Sequence, residues 1–61
     1  MFGSKEKRFK ILHEEGAVSV FRVIQDTKTG VNYLYAGISS GGGITPLLDK
    51  NGEVVVTTVE D

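Results

Sequence analysis

The feature that most constrains this chain is a pair of apolar segments, residues 18–24 and 31–38, separated by a short polar connection. The connection opens with Asp26, whose carboxylate can accept hydrogen bonds from backbone NH groups of a turn, and ends with Gly30, which tolerates a left-handed conformation. Connections of this length and chemistry join antiparallel strands. We therefore predict a central hairpin in which Asp26 pairs with Val31.

The predicted register gives this hairpin two different faces. The pairs are Ile24 with Tyr33, Val23 with Leu34, Arg22 with Tyr35, Phe21 with Ala36 and Ser19 with Ile38. One face, called the Phe21 face below, is apolar throughout and is the predicted core; it carries Phe21, Val23, Leu34, Ala36 and Ile38. The other, called the tyrosine face, is the candidate interaction face; it carries Val20, Arg22, Ile24, Tyr33 and Tyr35.

The tyrosine face is too apolar for an ordinary solvated surface and too polar at its centre for a plain core. Arg22 opposite Tyr35 predicts a guanidinium lying on an aromatic ring, a contact that contributes about 0.5–1 kcal/mol when it is exposed. Such a face needs a cover. Three covers are open: the C-terminal segment of the same chain, the same face of a second copy, or a ligand.

The residues after the central hairpin predict a second, shorter hairpin. Residues 39–43 end in three glycines and are interpreted as a flexible joint, and Pro46 confines the next piece to a sheet edge or an unpaired position. Residues 49–52, Asp-Lys-Asn-Gly, have the composition of a type I turn with Gly52 at a bulge. Residues 53–59 are mostly β-branched, so we expect a last strand that is covered on both faces.

The segment before the central hairpin also predicts a strand. Residues 8–14 alternate polar and apolar side chains, although Leu12 breaks the alternation. A helix that begins near Ser4 is the alternative, because the residues after Ser4 could cap and open one. The glycine at position 16 follows two glutamates and predicts a turn.

These segments together predict an all-β fold. We expect a small antiparallel meander or open barrel of four to five short strands, with two hairpins that turn at residues 26–30 and 49–52. Residues 1–7 are expected to be a flexible N-terminus, residues 8–59 a single small β domain, and residues 60–61 a C-terminal tail.

The length of 61 residues limits how such a fold is stabilised, because a chain of about 60 residues buries only about 60% of its unfolded surface. There is no cysteine, and His13 is the only histidine, so a disulfide and a multi-histidine metal site are excluded. Association remains, and we expect a homodimer or docking on a protein partner. No apolar run is long enough for a signal peptide or a membrane span, so we expect a cytoplasmic protein without membrane contact.

No motif in the sequence supports catalysis, a cofactor or a metal ion. Glu14 is next to His13 but points to the other face of a strand, and Glu15 shares the side of His13 only if the strand continues. Residues 37–41, Gly-Ile-Ser-Ser-Gly, match a nucleophile elbow, but the glycines and Pro46 contradict the strand-to-helix context that it requires. The glycines also lack the helix or lysine of a phosphate loop. We expect a protein that is not an enzyme.

Two motifs carry a family resemblance: Thr-Gly-Val-Asn-Tyr-Leu at residues 29–34 and Gly-Ile-Thr-Pro-Leu-Leu-Asp at residues 43–49. In this order, and with Arg8-Phe9 and Glu15-Gly16 before them, they make the chain resemble a family of short bacterial proteins, mostly from Gram-positive bacteria, that is catalogued as a domain of unknown function. The likeness covers residues 7–56. It implies a small stand-alone cytoplasmic protein, and it supplies no activity or catalytic residue.

The predicted function is that of a non-catalytic protein-interaction or self-assembly module, which uses the tyrosine face or the final strand. One alternative is a β domain that binds single-stranded nucleic acid by stacking bases on the tyrosines beside Arg22. The net charge of -1 makes nucleic acid the less favoured partner, because electrostatic attraction dominates such binding. The other alternative is a small-ligand-binding protein or an enzyme accessory protein.

Overall fold

A computed structural model of the protein describes residues 7–60. The strands are β1 (Phe9–Glu15), β2 (Val20–Asp26), β3 (Asn32–Ile38) and β4 (Gly41–Pro46). They lie in chain order in one open sheet, and every neighbouring pair is antiparallel. The predicted all-β class and meander arrangement are confirmed. The flexible N-terminus predicted for residues 1–7 lies, except for Lys7, outside the described residues, and so does residue 61 of the predicted tail.

The central hairpin, formed by β2 and β3, has the predicted register, with Arg22 opposite Tyr35. The backbone NH of Asp26 donates to the carbonyl of Val31 at 2.9 Å. At the other end of the loop, Gly30 has a φ of 82°, and its NH donates to the carbonyl of Asp26 at 2.7 Å. Only glycine takes this left-handed conformation without a steric penalty, so the loop fixes the pairing of the two strands.

The first strand, β1, pairs with β2 through a β-bulge. Ile11 and His13 face consecutive residues of β2, and Leu12 is the extra residue between them. The helical alternative for this segment is therefore wrong where the structure describes it. The bulge also explains why Leu12 breaks the alternation of the sequence. The predicted turn after β1 is confirmed, since Gly16 has a φ of 104°.

The three glycines predicted as a flexible joint belong to β4, so that prediction is wrong. Gly41, Gly42 and Gly43 pair with Ile38, Gly37 and Ala36 of β3. The connection consists of Ser39 and Ser40 alone. The backbone of β4 is held by its ladder with β3, which offsets the conformational entropy that glycine loses. Pro46 ends this edge strand, in agreement with the predicted edge position.

The predicted second turn is confirmed at residues 49–52. The NH of Gly52 donates to the carbonyl of Asp49 at 3.0 Å, and Gly52 has a φ of 82°. The Asp49 carboxylate accepts from the NH groups of Asn51, at 2.8 Å, and Glu53, at 3.0 Å. An aspartate at the start of the turn thus satisfies the backbone donors that follow it.

Residues 53–60, called the C-terminal segment below, follow this turn. They do not form the regular last strand that the sequence predicts. Isolated bridges join Leu48 to Val54 and Val31 to Val56. The NH of Asn32 donates to the carbonyl of Val55 at 2.9 Å. The segment therefore runs from the end of β4 towards the loop of the central hairpin. The NH of Thr57 donates to the carbonyl of Gly30 at 2.9 Å, so residues 55–57 pair with residues 30–32 through a single antiparallel bridge instead of a continuous strand. Val54 and Val56 are exposed, so residues 7–60 do not supply the expected cover on both faces.

No apolar side chain is buried within residues 7–60. The buried residues of this region are Gln25, Asp26, Gly30 and Asn32, all at the end of the sheet that the C-terminal segment crosses. On the Phe21 face, Phe21 is 43% exposed and Ile38 is 52% exposed. The prediction that this face forms a core within the chain is therefore wrong. The described residues make a single layer, and a single sheet offers no second apolar surface to lie against.

Candidate interaction surface

The tyrosine face is assembled as the predicted register requires. Ile24 lies opposite Tyr33, Arg22 opposite Tyr35, and Val20 opposite a glycine of β3. All five side chains are half-buried. The central strands therefore bring the five candidate residues together on one side of the sheet, and their use as an interaction face stays a prediction.

The centre of the tyrosine face is a guanidinium that already has two partners. The Cζ atom of Arg22 lies 5.6 Å from the centroid of the Tyr35 ring, as the sequence predicts. From β1, the carboxylate of Glu14 accepts a hydrogen bond from Nε of Arg22. Without the bulge at Leu12, His13 would stand opposite Arg22 instead of Glu14. The bulge thus supplies a carboxylate that compensates the charge of Arg22.

Two glycines form the seat of the Tyr35 ring. Gly37 and Gly42 lie opposite each other on β3 and β4. A Cβ atom on Gly42 would lie 2.6 Å from the Tyr35 hydroxyl, and a Cβ atom on Gly37 would overlap the same hydroxyl. A larger residue at either position would displace the ring. Gly42 therefore leaves room for the aromatic side chain, and the three glycines belong to a paired strand and do not act as a hinge.

A bidentate ion pair closes the end of the sheet where β1 begins. Arg8 donates from Nε and Nη2 to the two carboxylate oxygens of Asp26, each at 2.9 Å. The hydrogen bond from Arg8, with a smaller contribution from the backbone NH of Lys28, lowers the pKa of Asp26 from 3.8 to about 2, although burial opposes the shift. Sequence reasoning assigned Asp26 to the turn and missed Arg8, because Arg8 precedes β1 and is 18 positions away from Asp26 in the chain.

A second polar cluster fastens the C-terminal segment to the sheet. Nε2 of Gln25 and Nδ2 of Asn32 each donate to Oγ1 of Thr57 at 2.9 Å. Gln25 is 1% exposed and Asn32 is 3% exposed. Sequence reasoning missed this cluster. The available signal was a pair of amide side chains at positions that continue the apolar Phe21 face, since buried amides need hydrogen-bond partners.

This cluster places the C-terminal segment on the Phe21 side of the sheet. Gln25 and Asn32 pair directly and share a face with Val23 and Leu34, and both contact Thr57. The C-terminal segment is therefore not the cover of the tyrosine face, which corrects the first of the three covers expected from the sequence. A second copy and a ligand remain as expectations for that face.

The Phe21 face carries a shallow hollow of about 280 Å³. Ala36 and glycine backbone of β3 and β4 form its floor, and Phe21 and Ile38 stand at its walls. A Cβ atom added to Gly41 or Gly43 would have no heavy atom within 4 Å. Where β4 pairs with Ile38 and Ala36, this face is therefore open space above bare backbone.

The residues considered for catalysis lie apart from these surfaces. Nε2 of His13 is 3.5 Å from the carboxylate of Glu15, and both side chains are exposed. Ser39 and Ser40 form the turn between β3 and β4, and a strand follows them. Across residues 7–60, no three His, Asp or Glu side chains are grouped to hold a metal ion. The same residues contain no helix that is long and apolar enough to cross a membrane.

Comparison with protein families matches residues 8–57 to DUF6440, which is described as a family of unknown function. This match confirms the resemblance to a family of unknown function that the motifs predict. No curated protein and no solved structure matches the chain.

Proposed function

The chain belongs to the DUF6440 family, a family of unknown function, and we propose that it is a non-catalytic assembly module that self-associates through a face of its sheet. The observation that carries the proposal is the absence of any buried apolar side chain in residues 7–60. Hydrophobic residues make up 39% of the sequence, so the apolar surface needed for a core is present without a second layer to cover it.

A single sheet of this size needs packing against another layer. A sheet with an apolar face becomes independently stable when that face packs on a helix or on another sheet. The hydrogen bonds of the described C-terminal segment to the sheet lie at one end, at Asn32, Gln25 and Lys10, where the carbonyl of Glu60 accepts from Nζ of Lys10 at 3.0 Å. A second copy supplies the missing layer, and the free energy of association then contributes to the stability of the fold.

The charge distribution favours a protein surface over nucleic acid. Arg8 is paired with Asp26, and Arg22 is paired with Glu14, so neither guanidinium is available to a phosphate without losing a carboxylate partner. The net charge of -1 adds no general attraction. Titration of a labelled single-stranded oligonucleotide at low and high salt tests this part, and salt-dependent binding would contradict it.

Light scattering at two protein concentrations tests self-association. We expect the mass to rise from the chain mass of 6.6 kDa towards twice that value as the concentration increases. A folded protein that keeps the mass of one chain at both concentrations would contradict the proposal. In that case the exposed apolar faces would have to be assigned to a different partner.

A further inference from the structure

We propose, on the basis of this assembly role, that the second copy docks on the Phe21 face and that the Phe21 ring of each copy enters the hollow of the other. The interface is isologous, since each copy gives a ring and receives one. The tyrosine face then remains on the outside of the dimer. This proposal names the occupant of the hollow and the face on which the copies meet.

The extent of the molecule sets an upper limit on the interface that the Phe21 face can form. The molecule is a slab of 33 × 31 × 18 Å. An ellipse with the two longer axes has an area of about 800 Å², the surface that each partner contributes to an interface of standard size, and this area is an upper limit for the face because the C-terminal segment occupies one end of it. Two sheets that pack face to face lie about 10 Å apart, and their side chains then form one shared core.

The shape of the face is complementary to itself. Across the sheet, Phe21 lies in a row with Ala36 and Gly43, so a large side chain is followed by a methyl group and then by no side chain. The hollow beside Phe21 measures about 280 Å³, and an apolar cavity of about 150 Å³ is enough to hold a benzene ring. A phenyl ring from a second copy therefore has room above Ala36 and Gly41.

The charges select this face over the tyrosine face. On β2 and β3 the Phe21 face carries no charged side chain. The charged or titratable residues that the sheet gives to this face, Lys10, His13 and Glu15, all stand on β1 at the edge, where Lys10 donates to the carbonyl of Glu60. The tyrosine face has Arg22 and Glu14 near its centre. The centre of a protein interface is depleted of charged residues, and its rim is polar.

A matched pair of substitutions identifies the face. Ile38, which is 52% exposed, belongs to the Phe21 face, whereas Ile44, which is 60% exposed, belongs to the opposite face beside Tyr35. Ile38→Asp puts a charge into the proposed interface and is expected to weaken dimerisation at least about 30-fold. Ile44→Asp introduces the same charge on the outside and is expected to change the dissociation constant less than about threefold. Sedimentation equilibrium measures both.

A mixing experiment tests whether the Phe21 ring of one copy occupies the hollow of the other. Phe21→Ala removes the ring and keeps the floor of the hollow at Ala36 and Gly41, whereas Gly41→Val fills the hollow and leaves the ring; a Cβ at Gly41 meets no heavy atom within 4 Å in one copy. Each variant alone is expected to dimerise at least about 30-fold more weakly than the unaltered protein. An equimolar mixture is expected to associate at least about tenfold more tightly than either variant alone, because one ring finds one open hollow and the filled hollow meets no ring.

The outcomes separate this proposal from the assembly role. Dimers that are broken by Ile44→Asp and not by Ile38→Asp would keep the assembly role and overturn the Phe21 interface. A mixture that associates no more tightly than its two components would overturn the proposal that the Phe21 ring occupies the hollow of the second copy. This holds whether or not each variant folds alone. A protein that stays monomeric before any substitution would overturn both proposals.

Discussion

Replacing Thr57 by valine tests how the C-terminal segment is held on the sheet. The substitution removes Oγ1 and keeps the shape of the side chain, so Gln25 and Asn32 each lose a hydrogen bond of 2.9 Å. Each amide keeps another acceptor, the Thr57 carbonyl at 3.2 Å for Gln25 and the Gly30 carbonyl at 3.0 Å for Asn32. Two hydrogen bonds of about 0.5–1.5 kcal/mol each predict a loss of about 1–3 kcal/mol in the free energy of unfolding.

Urea unfolding at one fixed protein concentration measures this loss, and thermal unfolding repeats it with a shift of about 4–8 °C for each kcal/mol. Thr58→Val is the matched control. Thr58 is exposed, and its carbonyl, which valine retains, accepts from Gln25 at 3.4 Å. We expect this control to change stability by less than about 0.5 kcal/mol. Equal losses in the two variants, or no loss in Thr57→Val, would refute the reasoning.

Two further predictions concern the glycine beside the Tyr35 ring and the ion pair of Asp26. Gly42→Ala is expected to lower stability by about 1–3 kcal/mol, because its Cβ would lie 2.6 Å from the Tyr35 hydroxyl and 2.8 Å from the Ala36 carbonyl; thermal unfolding at one protein concentration measures the loss, and an unchanged midpoint would contradict it. Lowering the pH from about 4 to about 2 is expected to remove the stabilisation from the Asp26 carboxylate, because its pKa falls from 3.8 to about 2 on folding. Urea titrations across this range measure the effect, and an Asp26→Asn variant with an unchanged pH dependence would contradict it.

The central hairpin could be predicted from the sequence because local chemistry determines its register. Asp26 and Gly30 fix the length and handedness of the loop, and a shift by one residue would exchange the two faces. The side-by-side positions of Arg22 and Tyr35 follow from that register without knowledge of the rest of the fold. The two other turns were predictable for the same reason, since glycines at positions 16 and 52 take positive φ angles.

The glycine run and the last segment could not be predicted, because their structures depend on neighbours far along the chain. Glycines suggest mobility when they are considered alone, yet the Tyr35 ring requires Gly37 and Gly42 in a paired strand. β-branched residues favour strands only where a partner strand is available. The C-terminal segment instead crosses the sheet end, where Thr57 satisfies two buried amides.

The candidate site shows the same division between local and distant effects. The sequence predicted both faces of the hairpin but assigned the Phe21 face to a core within the chain. A pattern of alternation says which residues share a face, and it does not say what covers that face. The partners of the two arginines were missed as well, because Arg22 meets Glu14 only through the bulge at Leu12.

The most direct test of the central claim is the dependence of unfolding on protein concentration. If a second copy completes the core, folding and association are coupled, and each tenfold increase in concentration stabilises the native state by about 1.4 kcal/mol. We expect the urea midpoint to rise steadily over a hundredfold range of concentration. A midpoint that does not change over this range, for a protein that unfolds cooperatively, would contradict the account.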